Sequence, residues 1–335
     1  MPTLRTRLVR AGFVAALQAV RRTAGGVPLG DAPEEELREY ALGMRAQLET
    51  LSARLPTGRT VRFREADECP VAGLWVADGR ALPPVGDDQV SDLGCDTAER
   101  VVLHLHGGAY VMGSPRTHRG LAAALSRTAH AQVLLPDYRL APEDVHPAAL
   151  DDALAVYRWL VEERAYPAAR IAVTGDSAGG GLGLGLLFAA RDAGLPLPAC
   201  YVGLSPWTDL AGTGGSVREL DGIDPWLSTD LLVPAARAYA GTTDLEDPMV
   251  SPLYGDLVGL PPVLVHVGSD EILRDDAVRL VERAREAGVD ASLGIFDGLW
   301  HVFQAFPLPE SRSSLREVGA FIRRQTTADT RQEAA

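Results

Sequence analysis

The chain has 335 residues, of which 46% are hydrophobic and 23% are charged, so its composition is that of a globular protein rather than a disordered or membrane-embedded one. Its 32 basic residues, all arginine, stand against 45 acidic residues and give a formal net charge of −13. Because nucleic-acid affinity comes mainly from basic side chains that meet phosphates, we expect no nucleic-acid partner.

The first 55 residues are predicted to be helical. Residues 5–20 resemble the start of a signal peptide, but Gln18 interrupts the apolar run, and Arg21 and Arg22 stand where a small-residue cleavage site would lie. The apolar residues recur at the spacing of an amphipathic helix, at Leu4, Leu8, Phe13, Leu17 and Val20. We therefore expect a helix that packs on the domain or touches a membrane surface, with no stable membrane insertion.

The three cysteines, Cys69, Cys95 and Cys200, are far apart in the chain. Without a C-x-x-C pair they predict neither a disulfide framework nor a zinc ribbon, and we expect reduced thiols. This pattern favours a cytoplasmic protein.

Strands and helices are predicted to alternate along most of the remaining chain. Residues 60–64 and 71–76 favour a hairpin, and the polar stretch 78–100 favours a loop. Short apolar runs predict strands at 101–105, 132–135, 171–174, 199–204, 263–267 and 291–296. Amphipathic stretches predict helices at 117–129, 148–164, 180–193 and 274–287. This alternation predicts an α/β fold with a mostly parallel sheet that is covered on both faces.

A candidate nucleophile follows the third of these strands. The run Gly175-Asp176-Ser177-Ala178-Gly179 is a G-x-S-x-G motif between a strand and a helix, the setting of a nucleophile elbow. Its glycines let backbone pass close to a strained serine, and the helix N-terminus favours negative charge there. No G-x-G-x-x-G fits residues 175–185, so a dinucleotide site is not expected.

A candidate oxyanion hole follows the first of these strands, in His106-Gly107-Gly108-Ala109-Tyr110. Acyl transfer builds negative charge on a carbonyl oxygen, which backbone N–H groups fixed in advance can stabilise. We expect these donors from Gly107, Gly108 and Ala178. His104 and His106 form an H-x-H pair, but no third ligand is evident and a serine site needs none, so we expect no metal and no cofactor.

The general base should follow the serine in the chain. Only His266 and His301 do so. His266 lies inside an apolar run and is expected to pack in the sheet, whereas His301 follows the last predicted strand and is the candidate base.

The orienting acid should follow the strand at 263–267. Asp270 and Glu271 are both available there, and the residues alone do not choose between them. Asp275 and Asp276 are interpreted as solvated charges in the first turn of the next helix.

Together these segments resemble the hormone-sensitive-lipase-like branch of the α/β-hydrolases, the bacterial carboxylesterases with an HGG motif. The resemblance spans 61–306, with Ala109 in place of a third glycine, and its motifs lie at 106–108, 137–143, 175–180, 205–210, 268–276 and 300–303. It implies an α/β-hydrolase fold with a helical cap, and a structural role for 137–143. The family's acid motif, aligned without a gap, favours Glu271, with Asp270 as the runner-up.

The resemblance also implies a domain organisation. Residues 1–55 would form the cap and residues 56–326 the catalytic domain. Part of 207–260, where the strand–helix rhythm breaks, would complete the cap, and residues 327–335 would be a disordered tail.

The resemblance further implies a serine carboxylesterase that hydrolyses short- to medium-chain carboxylic esters through an acyl-enzyme. An apolar acyl pocket has five candidates, namely Phe13, Leu17, Trp207, Trp226 and Trp300, although such residues are more often core. Because a negative field repels anions, neutral esters are favoured as substrates. We expect a monomer or a homodimer.

Two other functions stay open from the sequence. A biosynthetic enzyme could use the same triad for cyclisation, dehydration or acyl transfer, and the arginine-only composition, typical of a high-GC bacterial genome, is compatible with that role. A non-catalytic receptor is not favoured, because every member of the triad is present.

Overall fold

Hydrophobic strands form the centre of the molecule, and the computed structural model describes residues 2–23, 34–53, 57–79 and 100–326. The strands are β1 (Val61–Glu65), β2 (Gly73–Asp78), β3 (Val101–Leu105), β4 (Gln132–Pro136), β5 (Ile171–Asp176), β6 (Cys200–Leu204), β7 (Val263–Gly268) and β8 (Ala291–Phe296). The helices are α1 (Leu4–Thr23), α2 (Glu34–Ala53), α3 (Arg119–Ala129), α4 (Ala148–Arg158), α5 (Ala178–Asp192), α6 (Gly215–Glu219), α7 (Thr229–Ala240), α8 (Arg274–Glu286) and α9 (Pro309–Gln325).

All eight strands lie in one sheet, in the order β1-β2-β4-β3-β5-β6-β7-β8. The β1–β2 and β2–β4 pairs are antiparallel, and every pair from β4–β3 to β7–β8 is parallel. The carboxyl ends of the parallel strands therefore share one edge, which is where open α/β sheets place their sites. This architecture confirms the predicted α/β-hydrolase fold.

Two hydrophobic layers cover the sheet, one on each face. Successive strand residues point to opposite faces, and the central strands are buried on both. Helices α3 and α9 pack with Val102, Val133 and Val202 on one face. Helices α4, α5 and α8 pack with Leu103, Val173 and Val265 on the other. Burial on both faces explains why these strands read as continuous apolar runs rather than as alternating ones.

The largest differences between the predicted and the observed boundaries of strands and helices fall where turns interrupt the predicted runs. Strand β2 covers 73–78 rather than 71–76, and its Gly73 lies directly against the backbone of Leu135. The predicted helix 148–164 is α-helical only to Arg158, and a π-helical turn, Trp159–Glu163, completes it. Asp78, predicted in a loop, ends β2 as a buried residue.

Two other predictions concern residues without a structural description. Cys95 and most of the predicted loop 78–100 lie outside the described residues, and so does the predicted tail 327–335. Cys69 and Cys200 are free thiols. Over the described ranges, no helix combines the length and apolarity needed to cross a bilayer.

His266 of β7 packs in the sheet, as its apolar setting predicted. Its ring is buried and its Nδ1 lies 2.8 Å from Ser314 Oγ on α9. Burial lowers the pKa of His266 to about 4. Between that value and the ordinary histidine pKa of about 6.5, the unfolded chain binds a proton that the folded chain excludes.

We therefore expect His266 to weaken the fold as pH falls from about 6.5 towards 4, by on the order of 1 kcal/mol per pH unit. His266→Gln should make the free energy of unfolding fall less steeply over this range, while His104 and His106 keep their own contributions. Urea denaturation at pH 7, 6 and 5 measures how steeply the free energy of unfolding falls with pH in the native protein and in the variant. Equal slopes in the two proteins would contradict the assignment.

Candidate active site

Ser177 sits at a sharp turn between β5 and α5. Its backbone has φ 53° and ψ −124°, in the left-handed range that a serine rarely adopts, and it is only 5% exposed. A side chain at Gly179 would strike the carbonyl oxygen of Leu105, and one at Gly175 would strike that of Gly179. Both glycines are thus required by close backbone contact, and the turn places Ser177 at the N-terminus of α5.

The loop after β3 turns its backbone amides in different directions. The N–H of Gly107 donates to Asp176 Oδ1 at 3.2 Å, so this predicted oxyanion donor already has a partner within the protein. Gly108 (φ 128°) and Ala109 (φ 54°) follow with left-handed backbones. No hydrogen bond from their N–H groups, or from that of Ala178, reaches another described residue.

Among the described residues, the N–H groups of Gly108, Ala109 and Ala178 are thus left without a hydrogen-bond partner, whereas the sequence predicts Gly107, Gly108 and Ala178 as donors. The reason is the neighbouring Asp176 carboxylate, which attracts the nearest amide of the loop.

Asp176, the residue before the serine, is buried among histidines. Its carboxylate contacts His104 Nε2 at 3.1 Å and His118 Nε2 at 3.3 Å. Burial alone would raise the pKa of Asp176, but the charge of His118 and hydrogen bonds from both histidines hold it well below its usual value. Burial likewise opposes the charge on His118, but Asp176 outweighs it and raises that pKa. The Asp176 carboxylate is therefore ionised next to the glycine loop (residues 107–110), and a protonated His118 balances its charge.

Both predicted H-x-H residues are engaged in this region. His104 Nδ1 lies 2.8 Å from Thr174 Oγ1, and His106 Nδ1 lies 2.9 Å from the carbonyl oxygen of Gly107. Burial lowers the pKa of His106 to about 3, so its ring is neutral. In the described part of the chain, no group of three or more His, Cys, Asp or Glu side chains is arranged to hold a metal ion.

The segment 137–143 supports the same loop from outside. Tyr138 donates its hydroxyl proton to the carbonyl oxygen of His106 at 2.5 Å, and the two rings stack at 4.2 Å. Arg45 of α2 donates to Glu143 and also to the carbonyl oxygen of Val111, at 2.9 Å each. These contacts join the motif and α2 to the glycine loop.

His301 and Glu271 form a buried pair after β8 and β7. His301 Nδ1 donates to Glu271 Oε2 at 3.0 Å, and the other oxygen, Oε1, accepts the N–H of Gly268 at 2.9 Å. His301 is 3% exposed and Glu271 is fully buried. With Nδ1 occupied, Nε2 is the ring nitrogen left for proton transfer.

The other acids of this loop have different partners. Asp270 Oδ2 accepts a hydrogen bond from Arg10 at 2.6 Å, not from His301. The interpretation of Asp276 as a solvated charge is wrong, because its Oδ2 is buried and accepts the N–H groups of Thr208 and Asp209 at 2.8 Å each. Burial raises the pKa of Asp276 to about 8.

A second carboxyl group, that of Asp224, lies beside the pair, and no sequence motif marks it. Asp224 lies between α6 and α7, in the long segment that connects β6 to β7. It is 5% exposed, and its carboxylate accepts the N–H of Ile272 at 3.3 Å. Burial is the main reason that the pKa of Asp224 is raised to about 6; the charge of His301 opposes this rise and that of Glu271 adds to it. Asp224 is therefore electrostatically coupled to both residues.

The residues predicted for an acyl pocket lie in two places. Phe13 packs on Trp226 and Trp300, with ring centroids 5.2 and 6.3 Å apart. Trp207 is buried against Tyr110 instead. The Leu17 side chain lies outside the described residues.

A cavity of about 490 Å³ opens near this cluster, between α1 and the loop before His301. It is lined by Pro2, Thr6, Arg7, Arg10, Ala11, Val14 and Gly298. The four described aromatic candidates are absent from this lining, because their rings pack against each other and against the core.

Comparison with known proteins finds one matching family, together with relatives that are named as hydrolases or esterases. A family described as the alpha/beta hydrolase fold matches residues 102–305. An acetyl-hydrolase from Streptomyces hygroscopicus is 44% identical over 261 residues, which cover 75% of this chain and 86% of that protein. An esterase from Acinetobacter venetianus is 38% identical over 229 residues, covering 67% and 75%.

Solved structures show the same similarity in three dimensions. A hormone-sensitive lipase from a metagenome library superposes with a TM-score of 0.82 at 34% identity, covering 95% of this chain and 98% of that one. EstE5, in a crystal soaked with ethyl alcohol, gives a TM-score of 0.80 at 36% identity, covering 94% and 99%.

The glycine loop allows a test with a matched control. A side chain at Gly108 would strike the carbonyl oxygen of Met112, and its φ of 128° is unfavourable for alanine. If this loop presents oxyanion donors, Gly108→Ala should reduce kcat for p-nitrophenyl butyrate by about 10²-fold or more.

The control is Gly120→Ala, which adds the same methyl group to α3, where nothing lies within 4 Å. It should keep full activity and unfold at an equal or slightly higher temperature. Comparable activity in the two variants would rule out a role for the Gly108 turn.

Proposed function

Because this chain belongs to the α/β-hydrolase fold family, among its hormone-sensitive-lipase-like esterases, and is a carboxylesterase, we propose that Ser177, His301 and Glu271 are its catalytic triad. The observation that carries the proposal is the buried hydrogen bond between His301 Nδ1 and Glu271 Oε2. It leaves Nε2 to act as the base, and the elbow presents the one serine of the motif, Ser177.

The first half of the reaction forms an acyl-enzyme. Ser177 Oγ attacks the ester carbonyl carbon while its proton passes to His301 Nε2, and Glu271 stabilises the imidazolium that results. The N–H groups of Gly108, Ala109 and Ala178 receive the developing oxyanion. Collapse of the intermediate breaks the ester C–O bond, and His301 gives its proton to the departing alkoxide oxygen.

Water completes the cycle. His301 Nε2 takes a proton from water as its oxygen attacks the acyl carbon, and the same oxyanion donors stabilise the second tetrahedral intermediate. Ser177 Oγ then leaves with the proton from His301, releasing the carboxylic acid. The buried setting of the Glu271–His301 pair keeps this proton transfer shielded from bulk solvent.

The substrates proposed are neutral esters with short to medium acyl chains. Names of relatives support the short end, since the Streptomyces hygroscopicus protein is an acetyl-hydrolase. The net charge of −13 disfavours anionic substrates by repulsion. The partly exposed rings of Phe13 and Trp226 would offer hydrophobic contact to an acyl chain, with the fully buried Trp300 packed behind Phe13.

Helices α1 and α2, with part of 207–260, are proposed to form the cap. Arg10 and Arg45 support this role, because each anchors one helix to a loop of the site. The free thiols Cys69 and Cys200 suit a cytoplasmic location, where thiols stay reduced. A monomer or a homodimer is proposed, and sedimentation analysis decides between them.

Replacement of the nucleophile tests the mechanism. Ser177→Ala should abolish hydrolysis of p-nitrophenyl acetate and butyrate, and a fluorophosphonate probe should label the native protein at Ser177 and leave the variant unlabelled. With the native enzyme, the rate should fall for acyl chains longer than medium length. Ser313→Ala, a control at a partly exposed serine of α9, should retain both activity and labelling.

The two neighbouring acids give a second test. Glu271→Gln should lower kcat by about 10³- to 10⁴-fold, because the amide cannot stabilise the imidazolium or hold the productive tautomer. Asp270→Asn should cost less than about tenfold, since Asp270 faces Arg10. A larger loss from Asp270→Asn than from Glu271→Gln, measured in the same ester assay, would reverse the assignment of the acid.

A further inference from the structure

Arg10 of α1 contacts three separate segments with one guanidinium group. Its Nη1 donates to Asp270 Oδ2 at 2.6 Å and to the carbonyl oxygen of Gly298 at 3.4 Å. Its Nη2 donates to the carbonyl oxygen of Ile223 at 3.0 Å. The three acceptors lie more than 200 residues from Arg10 in the chain, so their meeting at this point is a tertiary contact alone.

Each of these segments lies next to the buried His301–Glu271 pair. Asp270 immediately precedes Glu271, and Gly298 is three residues before His301. Ile223 precedes Asp224, whose carboxylate accepts the N–H of the residue after Glu271. Arg10 therefore ties together three segments. They are the loop after β7 that bears Glu271 (the acid loop), the loop after β8 that bears His301 (the histidine loop), and the segment after β6 that bears Asp224.

The acid and histidine loops are already joined beneath Arg10 by their own hydrogen bonds. Asp270 N donates to the carbonyl oxygen of Leu299 at 2.9 Å, and Gly298 N donates to Ser269 Oγ at 2.8 Å. Arg10 adds one hydrogen bond to each of these two loops. The contact to Asp270 is the shortest of the three that Arg10 makes.

A second contact from the same helix reinforces this position. Phe13 follows Arg10 by three residues, so the two side chains share one face of α1. The Phe13 ring stacks on Trp300, the residue before His301, at 6.3 Å and an interplanar angle of 13°. The face of α1 that carries Arg10 and Phe13 thus covers the loop that bears His301.

We infer that Arg10 is a positioning residue, which holds the acid and histidine loops in register so that Glu271 keeps the His301 ring aligned. The inference rests on the proposed triad. A guanidinium group suits this task because its planar fork of donors can meet several fixed acceptors at once. An ammonium group offers the charge without that geometry.

The Arg10–Asp270 ion pair is too exposed to be a main source of stability. The Arg10 and Asp270 side chains are each 28% exposed, and ion pairs in such positions contribute little to the free energy of unfolding. Loss of Arg10 should therefore affect alignment for proton transfer more than folding. The same exposure makes the pair sensitive to salt.

The test measures kcat, KM and the thermal midpoint for Arg10→Ala, Arg10→Lys, Asp270→Asn and the double variant Arg10→Ala/Asp270→Asn, with p-nitrophenyl butyrate. Arg10→Ala should lower kcat by about three- to tenfold, with KM changed less than twofold. Arg10→Lys should recover part of this loss. The double variant should be no slower than the slower single variant, because both single substitutions already remove the Arg10–Asp270 ion pair. Arg5→Ala, at an exposed arginine of the same helix, is the control and should match the native enzyme.

Salt provides an independent readout with this uncharged substrate. The kcat of the native enzyme should fall with added NaCl towards that of Arg10→Ala, and the variant should respond less. A native kcat in Arg10→Ala overturns the inference, and so does a loss that appears only in KM or only in parallel with the thermal midpoint. Additive losses in the double variant also overturn it. Failure of the proposed triad would appear separately, as activity retained by Ser177→Ala.

Discussion

Close backbone contact around Ser177 is the constraint on which the rest of the site depends. Gly179 lies against the carbonyl oxygen of Leu105, so β3 and the start of α5 touch without an intervening side chain. Ser177 N donates to the carbonyl oxygen of Leu204 at 3.0 Å, and the Ser177 carbonyl oxygen accepts the N–H of Trp207 at 2.8 Å. The ends of three neighbouring strands therefore hold one strained residue. Its unfavourable φ costs on the order of 1–3 kcal/mol, which the apolar layers on both faces of the sheet offset.

Strained backbone recurs in the loops that follow β3, β5, β6 and β8 at this edge. Ala109, Ser177, Ser205 and Val302 all have φ values between 47° and 54°. For valine this is a rare conformation, because its branched side chain crowds the backbone. Val302 N donates to Ser205 Oγ at 3.1 Å, so the residue after His301 is fixed to the segment that also contacts Ser177. Strain of this kind persists where surrounding contacts determine the backbone, and it indicates loops with little freedom to rearrange.

The parts of this structure that could be predicted are those with local signals. Strands β3 to β8 are continuous apolar runs, and the G-x-S-x-G motif needs only its neighbours in the chain to be recognised. Asp224 and Arg10 have no such signal, because their partners are distant in the chain and nothing near them marks the contact. Gly107 illustrates a subtler limit: its motif was clear, but which way its N–H points depends on the Asp176 carboxylate from another strand. The burial of Asp276 has the same kind of cause, since it arises from the distant segment that holds Thr208 and Asp209.

The contacts of α1 join segments that are far apart in the chain. Thr6 Oγ1 donates to Glu310 Oε2 of α9 at 2.6 Å, and Arg10 reaches Asp270. Because a chain is synthesised from its N-terminus, Arg10 emerges 260 residues before Asp270, and Thr6 emerges 304 residues before Glu310. The nascent chain must therefore carry an amphipathic, arginine-bearing helix without its docking site until these segments have been made. Such a helix exposes apolar surface that invites misassembly or chaperone binding during that interval. Docking of α1 over the acid and histidine loops must accordingly wait until both loops and α9 exist.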